Sequence, residues 1–460
     1  LILTVLTACH SGHSKKTIEF AADSTSNLKN PYMGWTLYSE ARHSYKDGRD
    51  YWEAQKEAAE KYAGVFYLRW KWKDIEPEEG KYAWDYDPVF CNLIQGAIDN
   101  NLRLAFRVFV HTGTPDYVLA GSKTYEHWGV QTPYPDDEFF LEKYTGFIKA
   151  FGERFNDPAI VDYVDSYGLG WWGEEHNIRY LDPANKYYVH DRIVNAYAQA
   201  FDKVINVINF GVRDAKQERV VYDELGFTSR RDGYASKWFP EESREKFVEH
   251  FPETPIIAEA CYWGKNDISY HIESEGKEIW TSWADYYEDV VDLALQTHAN
   301  YLDMRTENET ARYMTEAKAS ADKFLRKGGY RIYPMSIEIL CGDGQLSVTH
   351  TWKNIGVGVL PNNNRNLGNK YKIAFALFDI KDEMVKTWYS EKLDVCKLVD
   401  NTEISASEQF DTSVIEKGKY RLAVAIRNTR ENDSKDIALA IKEPVKIVGE
   451  WVYLDEIRIN

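Results

Sequence analysis

The feature that most constrains the fold is a regular alternation of β-prone runs with helical stretches along the first 333 residues. We predict eight strands, at residues 30–38, 64–70, 103–111, 163–169, 219–225, 254–262, 300–304 and 328–333. Seven predicted helices separate them, at residues 51–62, 88–100, 137–155, 187–210, 241–251, 283–297 and 309–327. Such alternation favours parallel strands, because parallel neighbours need a long crossover connection. Eight units of this size fit a (β/α)₈ barrel. A doubly wound open sheet is the alternative, but the phosphate-binding loop that would favour it is missing after the first strand.

The pattern changes near Met335, where short β-prone runs are separated by turn-forming residues. Examples of these runs are residues 346–352, 371–378 and 420–426, and an asparagine-rich turn follows Pro361. Short strands with frequent turns are typical of a β-sandwich. We therefore predict an α/β barrel domain over residues 30–334 and a smaller all-β sandwich over 335–460. Residues 1–29 precede both domains.

Nearly every predicted barrel strand ends in an ionisable or aromatic side chain. In an α/β barrel these carboxyl ends carry the functional groups, because the loops that follow them line one face. A network of structural salt bridges at the barrel mouth is the alternative interpretation. The residues at these ends are Trp35, Tyr38, Arg69, Trp72, Arg107, His111, Glu174, His176, Asp223, Glu224, Glu259, Trp263, Asp303 and Arg305.

The densest of these ends is DYVDSYGLGWWGEEH at residues 162–176, where a predicted strand runs into Trp171, Trp172 and Glu174. Flat indole faces can stack on sugar rings, and a placed carboxyl can protonate a departing oxygen. The same stretch matches the G-x-G-x-x-G pattern of dinucleotide sites. However, a phosphate would be repelled by the two acids, and no helix pattern begins at this position.

Two carboxyl groups are needed to cleave a glycosidic bond, one to protonate the leaving oxygen and one to attack or to activate water. Glu174 and Glu259 are the best pair, because each follows a buried strand and has aromatic neighbours. We expect Arg69 and Arg107 to hold the second carboxylate ionised. Substrate-binding candidates are Trp35, Arg69, Trp72, Arg107, His111, Trp171, Trp172, His176, Asp223 and Trp263. Asp223 and Glu224 are alternatives to Glu259 as the second carboxylate.

Composition narrows the ligand class. The net charge of −17 argues against nucleic acid or an anionic membrane surface as the main partner. An aromatic content of 15% suits a protein that binds neutral carbohydrate, although an aromatic-rich core has the same composition. The sequence contains no P-loop, no HExxH zinc-binding helix, no G-x-S-x-G nucleophile elbow and no Cys/His spacing typical of a metal site. We therefore expect no cofactor and no metal. The sequence does not indicate the oligomeric state.

The N-terminal residues suggest a lipid anchor. An apolar run at residues 1–8 leads through Thr7 and Ala8 into Cys9, which resembles the lipobox of bacterial lipoproteins. A truncated secretion signal is the alternative. We expect an exported protein anchored through Cys9 and a polar tether at residues 10–16. Cys341 and Cys396 are expected either to pair or to remain buried thiols.

Several short motifs resemble known glycosidases. Arg69-Trp70, the loop IEPEEG at residues 75–80 and a glutamate ending the fourth strand are similar to clan A glycoside hydrolases. NPYMG at 30–34, FGERFNDP at 151–158, GEEH at 173–176 and GYR at 329–331 resemble a group of bacterial glycosidase lipoproteins with a barrel and a sandwich. The resemblance implies a retaining (β/α)₈ enzyme. Two features depart from clan A: Gly173 stands where an asparagine precedes the acid, and Glu259 falls on our sixth strand instead of the seventh.

The leading hypothesis is a lipid-anchored glycoside hydrolase acting on a neutral oligo- or polysaccharide. The alternative is a non-catalytic carbohydrate-binding surface lipoprotein that uses the same aromatic cleft. The sequence leaves open the sugar, the linkage and whether cleavage retains or inverts the anomeric configuration. The two hypotheses differ in whether two carboxyl groups face one cleft.

Overall fold

A computed structural model describes residues 4–6, 14–127, 129–261, 268, 280–342 and 344–460. Eight parallel strands close into a barrel in which each strand pairs with its neighbours in chain order, and the eighth pairs with the first. Numbered one to eight, the barrel strands are Gly34–Ser39, Ala63–Lys71, Arg103–Phe109, Val161–Asp165, Ile205–Asn209, Thr228–Tyr234, Ile256–Ala260 and Ala299–Arg305. The predicted α/β barrel is therefore confirmed.

Helices cover the outside of the barrel. They are Arg49–Lys61, Trp72–Ile75, Ala83–Tyr86, Pro88–Asp99, Asp116–Gly121, Glu138–Phe155, Lys186–Ala200, Ala215–Glu218, Glu241–Val248, Trp283–Gln296, Glu307–Thr315 and Lys318–Lys327. Short 3₁₀ turns lie at Arg42–Ser44, Trp171–Gly173, Pro183–Asn185 and Val395–Lys397, a π turn at Arg219–Glu224, and a hairpin at Thr124–His127 and Val130–Pro133. Glu138–Phe155 illustrates why they form: Asp137 caps it by accepting a bond from Phe140 N, and its buried aromatics recur every three or four residues.

Three sequence predictions about the barrel are wrong. Residues 219–225 form the π turn instead of a strand, and residues 328–333 lead into a sandwich strand. The predicted helix at 187–210 ends at Ala200, and barrel strand five follows it at Ile205–Asn209. Strand six, Thr228–Tyr234, has no predicted counterpart. The predicted number of eight strands is nevertheless correct. The two wrongly predicted strands, at 219–225 and 328–333, are offset by the two that were not predicted, barrel strands five and six.

The remaining strands form two antiparallel sheets. One contains, in spatial order, Thr4–Leu6, Ser14–Glu19, Ile332–Gly342, Gln345–Asn354 and Glu403–Asp411. The other contains Met384–Tyr389, Tyr371–Phe378, Gly418–Asn428 and Val452–Ile459. Part of the predicted tether, residues 14–16, thus lies in a strand. Cys341 and Cys396 are both free thiols.

The sandwich packs against the amino-terminal end of the barrel. Lys370 is buried there and donates to the Tyr32 hydroxyl at 2.9 Å and to Asp433 at 2.5 Å. Asn366 donates to the carbonyl of Val204, which directly precedes strand five. Because the sandwich occupies this end, the loops after the strands' carboxyl ends lie on the opposite face. No helix within the described ranges is long and apolar enough to cross a membrane.

Candidate active site

Alternation along the strands places charged residues in one layer near the carboxyl end of the barrel. On strand two Val65 and Tyr67 precede Arg69, and on strand three Ala105 precedes Arg107, all of them buried. Side chains two residues apart face the same side of a strand, so the apolar and aromatic positions fill the barrel below the charged layer. The other members of the layer are Asp165, Arg230, Glu259, Asp303 and Arg305.

Glu259 lies near the end of strand seven, buried among three guanidinium groups. Arg230 donates to its Oε2 through Nε at 3.0 Å and also through Nη2. Arg107 Nη2 lies 3.9 Å from Oε2, and Arg305 Nη2 lies 3.6 Å from Oε1. Burial alone would raise the pKa of this carboxyl, but Arg230, Arg107 and Arg305 together lower it well below its usual range. Glu259 is therefore a carboxylate at neutral pH.

The position of Glu259 resolves the difference in strand number noted in the sequence. Because strands five and six replace the single predicted strand at 219–225, Glu259 falls on strand seven. The predicted strand number of Glu259 was therefore one too low, because the prediction counted one barrel strand too few before it.

Glu174 follows a 3₁₀ turn in the loop after strand four. Its Oε1 accepts bonds from Arg69 Nη2 at 3.1 Å and Arg107 Nη1 at 3.3 Å. His176 Nε2 lies 3.6 Å from the other oxygen. Burial raises the pKa of Glu174, but the bond with His176 and the charges of Arg69 and Arg107 outweigh it and lower the pKa. Glu174 is also ionised in the free protein.

Arg107 joins the two carboxylates, since one of its terminal nitrogens contacts Glu174 and the other lies near Glu259. The two catalytic carboxyl groups of glycosidases lie roughly 5–10 Å apart. Two carboxylates that contact different terminal nitrogens of one guanidinium are separated by a distance of the same order. We expected Arg69 and Arg107 to hold the second carboxylate. The charges of Arg107 and Arg69 do lower the pKa of Glu259, but the direct hydrogen bonds to this carboxylate come from Arg230, whereas Arg69 bonds to Glu174.

A second set of buried groups orients these arginines. Asp165 Oδ2 accepts bonds from Arg107 Nε at 3.1 Å and from the Tyr67 hydroxyl. Arg230 Nη2 also donates to the Tyr38 oxygen at 2.7 Å. Burial raises the pKa of both tyrosines well above its usual value, so they remain neutral. Each guanidinium is thus fixed on more than one side, and the carboxylates are held in place before any ligand binds.

The loop that carries Glu174 has an unusual backbone. Trp172 has φ 52° and Glu175 has φ 71°, values that side chains with a Cβ atom rarely adopt. Glu175 is an anchor for this loop: Asn209 N donates to it at 2.7 Å, and Arg213 forms an ion pair with it. Because these contacts fix Glu175 on one side of the loop, the adjacent Glu174 points towards the charged layer.

Aromatic side chains form one wall beside Glu174. Trp171 is buried, with its ring 4.5 Å from His111 and 5.1 Å from His127. Trp172 is 49% exposed. Burial, followed by the charges of His127 and His176, lowers the pKa of His111 to about 4, so its ring is neutral at pH 7. His111 and Trp171 therefore support the wall, and Trp172 presents an accessible ring.

Two predicted ligand-binding tryptophans lie elsewhere. Trp35 is fully buried between barrel and helices, with its ring 5.0 Å from Tyr313 and 4.8 Å from Phe324. Trp72 is equally buried and packs 5.5 Å from Phe147. Both are core residues, because each ring points away from the barrel interior and is covered by a helix packed on the outside of the barrel. Their prediction as substrate contacts is wrong.

The alternative second carboxylates are also wrong. Asp223 and Glu224 are exposed in the π turn that precedes strand six, so they lie towards the amino-terminal end of that strand. Arg365 of the sandwich donates to the Glu224 carbonyl, which places this turn beside the other domain. Trp263 and Cys9 lie outside the described residues.

Sequence reasoning missed Arg230 and Asp232. Both belong to strand six, TSRRDGY, which lacks the apolar run used to identify strands. Burial and the negative charge of Glu174 raise the pKa of Asp232, which places a third carboxyl near the pair. The alternation of Thr228, Arg230 and Asp232 was the available signal. Within the described ranges no cluster of three His, Cys, Asp or Glu side chains is arranged to hold a metal ion.

No protein-family model matches the sequence, and no curated protein matches it. Among solved structures, the chain is similar to endo-glycoceramidase II from Rhodococcus sp., with 12% identity, a TM-score of 0.41, and coverage of 83% of this chain and 99% of that chain. A GH30 endoxylanase from Clostridium papyrosolvens C71 has 9% identity and a TM-score of 0.42 over 85% and 96% of the two chains. A family 5 glycoside hydrolase from Prevotella bryantii B14 has 10% identity and a TM-score of 0.40 over 67% and 98%.

Proposed function

We propose that the protein is a glycoside hydrolase that cleaves O-glycosidic bonds in a neutral oligo- or polysaccharide. The observation that carries the proposal is the placement of Glu174 and Glu259 on one guanidinium, Arg107, beside an exposed tryptophan. Glycosidic cleavage needs two carboxyl groups at one cleft, and the shared contact with Arg107 supports this role for the pair.

In this proposal Glu259 is the nucleophile, or the base that activates water. Its lowered pKa suits either role, because both need a carboxylate. Glu174 is the general acid and base. Because the bond with His176 and the charges of Arg69 and Arg107 keep it ionised in the free protein, it must gain a proton as the substrate enters. A ligand that separates Glu174 from these guanidiniums would raise its pKa by removing the charges that lower it.

The same ionisation favours a second candidate, a carbohydrate-binding protein without catalysis. A binding site has no need of a protonated carboxyl, and Glu174 has its pKa lowered in the free protein. We also propose that Cys9 carries a lipid that anchors the exported protein to a bacterial membrane. Both candidates are compatible with that location.

The experiment compares Glu174→Gln and Glu259→Gln on natural glycans and on aryl glycosides with activated leaving groups. Loss of the acid slows cleavage of poor leaving groups by about 10²–10⁴-fold but affects activated ones much less. Loss of the nucleophile abolishes both reactions. Asp223→Asn and Glu224→Gln are matched controls, because these exposed acids lie at the other end of strand six.

All four variants must melt near the parent for the comparison to hold. If Glu174→Gln and Glu259→Gln both kept full turnover, the assignment would be wrong. If the parent bound oligosaccharides by calorimetry but cleaved neither natural nor activated substrates, the binding candidate would replace the hydrolase.

A further inference from the structure

The tryptophans differ sharply in exposure. Among the described tryptophans, Trp172 and Trp238 are the two with exposed side chains, at 49% and 63%. Both follow carboxyl ends of barrel strands, Trp172 after strand four and Trp238 after strand six. An exposed indole leaves a large apolar surface in water, and such surfaces gathered on one face mark an interaction site.

The backbone carbonyl of each of these two tryptophans accepts hydrogen bonds from arginines. These arginines belong to the charged layer or are adjacent to it in sequence. The carbonyl of Trp172 accepts bonds from Arg69 at 3.3 Å and Arg107 at 3.4 Å, the two residues that hold Glu174. The carbonyl of Trp238 accepts a bond from Arg231 at 2.5 Å. Arg231 directly follows Arg230, the main partner of Glu259.

The loop around Trp238 is fixed in other ways as well. The Ser236 hydroxyl accepts a bond from Trp238 N at 3.2 Å, and Arg231 also donates to the Phe210 carbonyl at 3.3 Å. Within the described ranges, the contact of the Trp238 ring is with the Lys237 ammonium, 5.2 Å from its centre. The backbone is thus held firmly while the ring remains open to a ligand.

We infer that Trp172 and Trp238 are two stacking platforms for one neutral oligosaccharide chain, with Trp238 binding a sugar unit remote from the bond that is cleaved. The inference deepens the proposed function and rests on it. Strands four and six are separated by one strand, so their ends lie about 10 Å apart before the loops extend further. A single sugar unit cannot contact both rings across such a distance.

The charges around the platforms favour a neutral chain. Each arginine of the layer has a carboxylate partner: Arg69 has Glu40 and Glu174, Arg230 has Glu259, and Arg305 has Asp303. No unpaired guanidinium among them is left to bind an acidic sugar. The sequence, with a net charge of −17, would also repel polyanionic glycans.

The test is Trp238→Ala, with Tyr389→Ala as the matched control. Tyr389 is 38% exposed and ends a strand of the sandwich domain. This domain packs against the end of the barrel opposite to the charged layer. Probes are cello-, manno-, xylo- and galacto-oligosaccharides of two to six units, with aryl monoglycosides of the same sugars. We expect Trp238→Ala to lower kcat/KM about tenfold on the longest cleaved chains and to leave the monoglycosides within about twofold. Tyr389→Ala should change neither.

The outcomes separate this inference from the proposed function. Equal loss on long and short substrates, or no loss on long ones, overturns the role of Trp238. If the parent cleaves nothing, the hydrolase proposal fails, but calorimetry with the same oligosaccharides still tests the platform. Tighter binding of long chains that disappears in Trp238→Ala would then support it. A parent that neither cleaves nor binds any of these glycans would overturn the inference of a neutral glycan ligand.

Discussion

Replacement of Arg230 by leucine would test the electrostatic design of the site most directly. Arg230 is fully buried and makes two hydrogen bonds to Glu259 and one to Tyr38. Without it, the cationic groups nearest to Glu259 in the described part of the chain are Arg305 at 3.6 Å and Arg107 at 3.9 Å, both beyond good hydrogen-bond distance. Removing one partner of a buried ion pair typically costs about 3–5 kcal/mol, because a charge is left without compensation. We expect a loss of this size in the free energy of unfolding.

A double-mutant cycle with Glu259→Gln isolates the pair. In the Glu259→Gln background no carboxylate is stranded when Arg230 is replaced, so the second substitution should cost less than it does alone. We expect a coupling energy of about 2 kcal/mol or more, measured by urea unfolding at pH 7. Additive effects, or a loss below about 1 kcal/mol in Arg230→Leu, would refute the proposed coupling.

Arg103→Leu is the control. Arg103 is also buried inside the barrel and donates to Asp162 at 2.7 Å, but at the amino-terminal ends of the strands. This variant should lose comparable stability. It should leave the pH dependence of the Glu259-dependent activity unchanged, whereas Arg230→Leu should shift it.

The pH dependence has a definite sign. The folded pKa of Glu259 lies below its usual value of 4.5, so its contribution to stability is present above about pH 4.5 and is lost as the pH falls. In Arg230→Leu the folded pKa rises towards that value, and the loss of stability on acidification should become less steep. An unchanged acid limb would show that Arg230 does not hold Glu259 ionised.

Three further predictions follow from other parts of the chain. Cys9→Ser, expressed with a complete signal, should release the protein from the membrane fraction; unchanged retention would refute lipidation. Gly173→Ala should lower activity while the protein remains folded, because Gly173 has φ 75° and its added Cβ would lie 3.2 Å from Cδ of Arg107; parental kinetics would contradict this. Lys370→Met should destabilise the protein by about 3 kcal/mol in thermal or chemical unfolding, because it removes the buried ammonium that pairs with the Asp433 carboxylate, whose side chain is 5% exposed. Its kcat should not change if the sandwich only supports the barrel.

The sequence predicted the fold class because hydrophobic periodicity is a local property. The bounds of strands two, three and seven differ from the predicted bounds by at most two residues at either end. Each of these strands is a continuous run of buried residues, which periodicity detects easily. Strands five and six lack such a separate apolar run, so their periodicity does not identify them. Ile205–Asn209 follows a helix so closely that its apolar residues extended the helical pattern, and Thr228–Tyr234 carries the charges of the site instead of apolar residues.

The sequence by itself determined that a barrel would carry Glu174 and Glu259 at strand ends, because each follows a recognisable buried run. Only the tertiary structure decided which groups surround them. Arg230 meets Tyr38 across 192 positions of the chain, and Arg107 meets both carboxylates through contacts between different strands. The exposure of a tryptophan is decided in the same way: a helix covers Trp35 and Trp72, whereas no helix of the described residues covers Trp172 or Trp238. Local sequence cannot encode these outcomes, since they depend on which distant segments closure of the barrel brings together.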